Sequence, residues 1–262
     1  MPTSRKNNGQ LTFWDHLDEL RGSIVRIVVA VLVLGLVAFG FKEMLFKVLF
    51  APKYSGFVTY RLFNGLFGSA IDDFSVSLIN TGLAQQFMVH LKASFAVGAL
   101  LASPYIVYVC FKFIAPALYA NERRTAVKLV GGGYIMFLLG VALNYFLVFP
   151  LTFRFLGTYQ VSGEVQNLIS LDSYMSTLLL LSFMMGIMFE IPVLSWLLAR
   201  IGLLKADFMR KYRRHAIVAI LIVSAVITPT ADIFTLSVVS LPIYLLYEAS
   251  IFIVQRTRGI SN

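Results

Sequence analysis

Cysteine occurs once, at Cys110, and histidine three times, at His16, His90 and His215. A lone thiol excludes a disulfide framework and a thiolate metal cluster, and no two histidines stand four apart on a helix to grip zinc. A GxxxxGK[ST] phosphate cradle and a G-x-S-x-G elbow are also missing. The GGGY run at Gly131 to Tyr134 lacks the Lys and Ser/Thr of a nucleotide loop and is read as close helix packing. No metal, cofactor or catalytic constellation is expected, so the chain is not read as an enzyme. Charge is scarce too: 13% of the 262 residues are charged against 58% hydrophobic, with a mean hydropathy of +0.80. So few polar side chains cannot cover a water-soluble domain.

What remains is a polytopic, all-α integral membrane protein. Uncharged runs extend from Ile27 to Phe41, Ala93 to Phe111, Leu129 to Phe153, Ser173 to Ala199, His215 to Ala231 and Ile233 to Gln255, the last broken only by Glu248. They predict one transmembrane domain, 1–262, with six helices near 24–42, 87–112, 127–150, 173–199, 215–229 and 233–254. Arg5, Lys6, Arg21, Arg123, Arg124, the bases from Arg200 to Arg214, Arg256 and Arg258 fall on one side, against Lys47, Lys53, Arg61 and Arg154 on the other. Both termini are therefore expected in the cytoplasm. The net charge of +9 needs no nucleic acid, because it concentrates where anionic headgroups lie. Basic residues precede the first apolar run without a small-residue cleavage pattern after it, so that helix is read as retained. The stretch from Glu43 to Ala84 is expected to form a non-cytoplasmic cap, lying partly in the interface.

Glu190 is the only Asp, Glu, Lys, Arg or His between Asp172 and Arg200. It lies about 15 Å from the Arg200 end of a helix, at mid-membrane depth, where a carboxylate is costly unless it meets a partner or water. Pro192 frees the carbonyl of Met188 beside it. An interhelical hydrogen bond that merely locks packing is the plainer alternative.

Two segments on the basic side carry acids. In LTFWDHLDELRGSI, Phe13, Leu17, Leu20 and Ile24 recur at helical spacing behind a Thr12 cap. This predicts an amphipathic helix on the inner surface with Asp15, Asp18 and Glu19 on its polar side. An acidic patch in a basic setting suits a basic ligand, although pairing of Glu19 with Arg21 or another base on that side explains it as well. In FIAPALYANERR, Phe113 to Arg124, Glu122 stands beside two arginines in a loop that Pro116 keeps from continuing as helix.

Taken together, HLDELR at His16 to Arg21, SPYIVY at Ser103 to Tyr108, FIAPALYANERR, NYFLVFPLTFRFL at Asn144 to Leu156, FEIP at Phe189 to Pro192 and PIYLLYE at Pro242 to Glu248 resemble the TatC family. That family is the multi-span subunit of the twin-arginine protein translocase. The resemblance implies a core receptor in the bacterial cytoplasmic membrane. It would bind the twin-arginine signal peptides of folded proteins and recruit single-span partners of the TatA/TatB type, working as a homo-oligomer within a receptor complex driven by the proton gradient. Carried over by motif, Glu19 and Glu122 would take the paired arginines, Arg21 and Arg124 would orient those acids, and Leu20 and Phe113 would border the site. Thr228 and Asp232 would dock the partners, while Tyr145 and Glu190 would line an embedded concavity. A carboxylate suits arginine because a planar guanidinium donates two parallel hydrogen bonds, which an ammonium cannot.

Departures from the family pattern are local. Gly22 and Ser23 follow HLDELR in place of further bases, and the turn before the last helix reads TPTAD, one residue longer than TPPD. The polar position just beyond it is Thr235 or Leu236 instead of an amide. From His215 to Thr228 the apolar run yields only about 21 Å of helix against roughly 30 Å of hydrocarbon, which predicts a thinned bilayer or a shielded helix. A rival reading from the residues alone is a proton-coupled small-solute transporter that uses Glu190.

Overall fold

The computed structural model describes residues 13–67, 76–114, 123–162, 167–228, 230 and 232–258. Long helices run back and forth between two ends of a bundle. Helix α1 (Phe13–Gly40) leads into a compact segment of α2 (Lys42–Leu49), a 3-10 turn (Ala51–Lys53), α3 (Val58–Phe67) and the short strand β1 (Leu78–Ile79). Helix α4 (Gln85–Ile114) returns to the starting end, and α5 (Arg123–Leu143), a π-helical turn (Asn144–Val148) and α6 (Phe149–Thr158) go back. After β2 (Ile169–Ser170) come α7 (Leu171–Met188), α8 (Ile191–Arg200), the short α9 (Ala206–Lys211), α10 (Arg213–Ile227) and α11 (Ile233–Arg258). Among the described residues, five helical stretches are long and apolar enough to cross a membrane: Leu20–Gly40, Gln85–Cys110, Leu129–Thr158, Leu171–Arg200 and Ile233–Thr257.

The amphipathic segment expected to lie apart on the membrane surface is continuous with the first span: α1 is unbroken for 28 residues, about 42 Å. Nothing in DELRGSIVR stops a helix, since no proline intervenes and Gly22 costs only about 1 kcal/mol.

Small residues set the packing, because lipid supplies no hydrophobic drive between helices and close backbone approach must replace it. Helices α1 and α4 cross where Gly35 meets Gly98; a Cβ on Gly98 would lie 2.5 Å from the Gly35 nitrogen and 2.9 Å from the Val31 carbonyl oxygen. Helices α5 and α7 cross where Gly140 abuts the Met185 carbonyl and Gly186 abuts the Phe137 ring. The outer face of α1, with Val25, Val29, Val33 and Leu36, is exposed, as a lipid-facing surface is.

Prolines inside helices free carbonyls that hydroxyls recapture. Pro104 cannot donate to Leu100, and the Ser103 hydroxyl donates to that carbonyl at 2.6 Å. Pro150 cannot donate to Phe146, whose carbonyl accepts from the Thr59 hydroxyl of α3. That bond ties α3 to the bundle. Tyr60 strengthens the tie by donating to the carbonyls of Pro150 (2.9 Å) and Pro52 (3.1 Å), and Tyr174 donates to Leu49 (2.9 Å). Strands β1 and β2 pair in parallel, Leu78 with Ile169 and Ile79 with Ser170, so the two loops at this end interlock. Residues 42–67 thus form a cap over one end of the bundle, and burial pushes the Tyr60 phenol up, keeping it a hydrogen donor.

Candidate functional site

The opposite end gathers the start of α1, the end of α4, the start of α5 and the basic stretch from α8 to α10. From the Gly35–Gly98 crossing, sixteen residues toward the start of α1 reach Glu19, and sixteen along the antiparallel α4 reach Ile114. Both distances are about 24 Å of helix, so the α1 turn that holds Glu19 stands level with the last turn of α4, where Phe113 lies. Chain order then leads through 115–122, which contains Glu122, to α5 beginning at Arg123 and packed against α4. Asp18 and Arg21 are exposed and Leu20 is half-buried. Glu122 lies outside the described residues, and for Glu19, Phe113 and Arg124 only the helical backbone is described.

Glu190 occupies the break between α7 and α8. Phe189 still donates to Met185, but the Glu190 N–H bonds to Ile187, three residues back, and Pro192 supplies no donor, so the helix tightens and turns here. Both carboxylate oxygens are buried, and neither has a hydrogen-bond partner among the described residues. Eight residues before Glu190, on α7, the Ser182 hydroxyl accepts at 2.8 Å from the fully buried Asn144, linking the π-helical turn to α7. Tyr145 does not join Glu190. Its hydroxyl donates to the Val48 carbonyl at 2.7 Å and its ring meets Phe57 edge-on, both in the cap.

The turn between α10 and α11 is built by capping. Asp232 accepts the Thr235 N–H at 2.7 Å, which caps the start of α11, and the Thr228 hydroxyl donates to the Ser224 carbonyl at 3.0 Å. Burial works to raise the Asp232 carboxyl, but the Thr235 N–H and the nearby Thr230 and Thr235 hydroxyls outweigh it and hold the group below its ordinary value. At the other end of α10, Arg213 pairs with Glu248 of α11 at 2.8 Å. Tyr247 donates to the Met209 carbonyl at 2.8 Å, fastening α9 to α11 as well.

Residues 15–242 match the family model described as Sec-independent protein translocase protein (TatC). The chain is 33% identical over 258 residues to the Sec-independent protein translocase protein TatC of Blattabacterium sp. subsp. Periplaneta americana, covering 95% of this chain and 97% of that one. To the TatC of Escherichia coli K12 it is 33% identical over 237 residues, covering 90% and 85%. A crystal structure of the twin arginine translocase receptor TatC superposes with a TM-score of 0.75 at 31% identity, over 93% of this chain and 99% of that one. The chain belongs to the TatC family. It is a multi-pass membrane protein and a component of the Sec-independent protein translocase, which sets the solute-transporter reading aside.

Three features of this TatC-family chain escape a reading of the sequence alone. The Asn144–Ser182 contact sits within otherwise apolar runs, and its only signal is an amide in a membrane helix. The Thr59–Phe146 bond was foreshadowed only by Pro150, since a proline in a span implies an orphaned carbonyl. The Arg213–Glu248 pair had a clearer sign: Glu248 interrupts an apolar run and therefore needs a base.

Proposed function

We propose that this chain is the receptor subunit that takes twin-arginine signal peptides of folded proteins at the cytoplasmic face of a bacterial inner membrane. In this reading Glu19 and Glu122 bind the two guanidinium groups, Arg21 and Arg124 hold the acids in orientation, and Leu20 and Phe113 border the peptide. The observation that carries it is the α1–α4 register, which brings the Glu19 turn level with the end of α4, from which the Glu122 segment departs. Both termini lie in the cytoplasm and α10 is a sixth, short span, so the cap faces away from the cytoplasm. Support for this comes from the bases of α8 to α10 at the end opposite the cap. Single-span TatA/TatB-type partners assemble beside the α10–α11 turn at Thr228 and Asp232, in a complex holding several copies of this chain and driven by the proton gradient.

The test compares twin-arginine and twin-lysine signal peptides, photo-crosslinked to positions around Glu19 and Glu122, in the wild type and in E19Q and E122Q. If each bidentate contact contributes roughly 1.5–3 kcal/mol, the double variant binds two to four orders of magnitude more weakly. Equal labelling by both peptides would remove the receptor assignment.

A further inference from the structure

Helix α9 turns Ala206 and Met209 inward against Ile251 and Val254 of α11, and Arg210 reaches the Gln255 amide on the same side. The opposite side is therefore open. Phe208 and Lys211 are exposed on a six-residue helix, Phe208 at 56%, and the Tyr212 ring lies beside that of Phe208, tilted by 45° with centroids 4.6 Å apart. Exposed aromatic rings of this size next to cations match the boundary between headgroups and acyl chains, where an amphipathic ring is stable and a water-facing one is not. Lys205 and Lys211 flank the rings, and Arg214 opens a stripe on α10 that continues through Val218 and Ile222, all exposed. Asp207 is the sole acid from Arg200 to Arg214. Arg213 is excluded, because it is paired with Glu248.

Depth distinguishes this patch from an ordinary basic loop. The Arg213–Glu248 pair sets the first residue of α10 level with Glu248, ten residues before the end of α11 at Arg258. Arg214 thus lies up to about 15 Å farther into the bundle than the α11 terminus. An exposed cation set back from the helix ends by that distance can meet an acidic headgroup.

We propose that the outer face of α9 and the first two turns of α10 bind the phosphate of an anionic glycerophospholipid. Lys205, Lys211 and Arg214 surround the phosphate, Phe208 and Tyr212 lie against the glycerol region, and an acyl chain follows Val218 and Ile222. A lipid held so would draw the headgroup plane inward beside the short helix.

The experiment is native mass spectrometry of the detergent-solubilised full chain with phosphatidylglycerol or phosphatidylcholine of matched acyl chains. Variants are K205Q/K211Q/R214Q and, as a control of equal charge at the cap end, K47Q/K53Q/R61Q. Phosphatidylglycerol retention is expected to fall roughly fivefold for each cation removed from the first set. It is expected to stay at the wild-type level in the control, with phosphatidylcholine retained poorly throughout. The single variants K211Q and R214Q, each about fivefold weaker, decide the matter if the triple variant does not fold. Equal losses in both sets, equal retention of phosphatidylcholine, or displacement by inorganic phosphate at the same concentration as the lipid would each overturn the proposal.

Discussion

At the scale of single residues, two carboxylates show how differently the chain treats charge. Asp232 is satisfied by the Thr235 N–H at the head of α11, and its value lies below the ordinary one. Because the folded value is the lower, its contribution is complete above the unfolded value of about 3.9 and disappears as pH falls through the folded value. Asp232→Asn is therefore expected to flatten the acid limb of thermal stability below about pH 4 and to cost roughly 1 kcal/mol or less at neutral pH, since asparagine also caps helices. Melting in detergent across pH 2.5 to 7, ranges chosen around that value, checks it. Glu190 is the converse, a carboxylate with both oxygens buried and no hydrogen-bond partner among the described residues. If it only locked packing, the isosteric E190Q would weaken the fold. Among the described residues there is no such bond to lose, so E190Q is expected to melt at or above the wild-type temperature while export falls; a lower melting temperature with full export would contradict this.

Among the elements, α10 is the outlier. Its 15 residues span about 22 Å, while α11 beside it has 26 residues, about 39 Å. The deficit falls at the basic end, where α9 folds over against α11 and Arg213 reaches Glu248. If α10 is the sixth span proposed above, the bilayer beside it must thin or the helix must be shielded, and thinning would lower the cost of moving the proposed folded cargo across. Inserting about six Leu/Ala residues near the middle of α10, about 9 Å of helix, is expected to reduce export severalfold without loss of membrane insertion. Undiminished export would show that the short helix serves packing alone. The helical runs themselves were legible from uncharged segments and turn residues. Less legible was the union of the amphipathic segment with α1, because helical periodicity marks a face and does not reveal where one axis gives way to another.

For the whole molecule, the candidate receptor site depends on contacts made far from it. The Glu19 turn, the end of α4 and the start of α5 share one end of the bundle because glycines let α1 cross α4 in close contact about 24 Å away. A side chain at Gly98 would collide with the Gly35 backbone and the Val31 carbonyl. Gly98→Leu is expected to cost about 1–3 kcal/mol of stability and to weaken twin-arginine peptide binding at least tenfold, although no residue that would touch the peptide has changed. A signal-peptide titration beside a melting curve measures both effects. Gly140 and Gly186 perform the same service for α5 and α7, and the cap holds the far ends together through Thr59, Tyr60 and Tyr174.

Composition and motif order by themselves determined that this is a multi-span helical membrane protein of the TatC family, since hydropathy and short motifs are local properties carried in every stretch of chain. Tertiary structure alone decided which polar groups find partners. Asn144 meets Ser182, Arg213 meets Glu248, Tyr145 turns to the cap, and Glu190 has no hydrogen-bond partner among the described residues. Those outcomes depend on the register in which glycines let distant helices cross, and spacing along one helix does not encode the register of another.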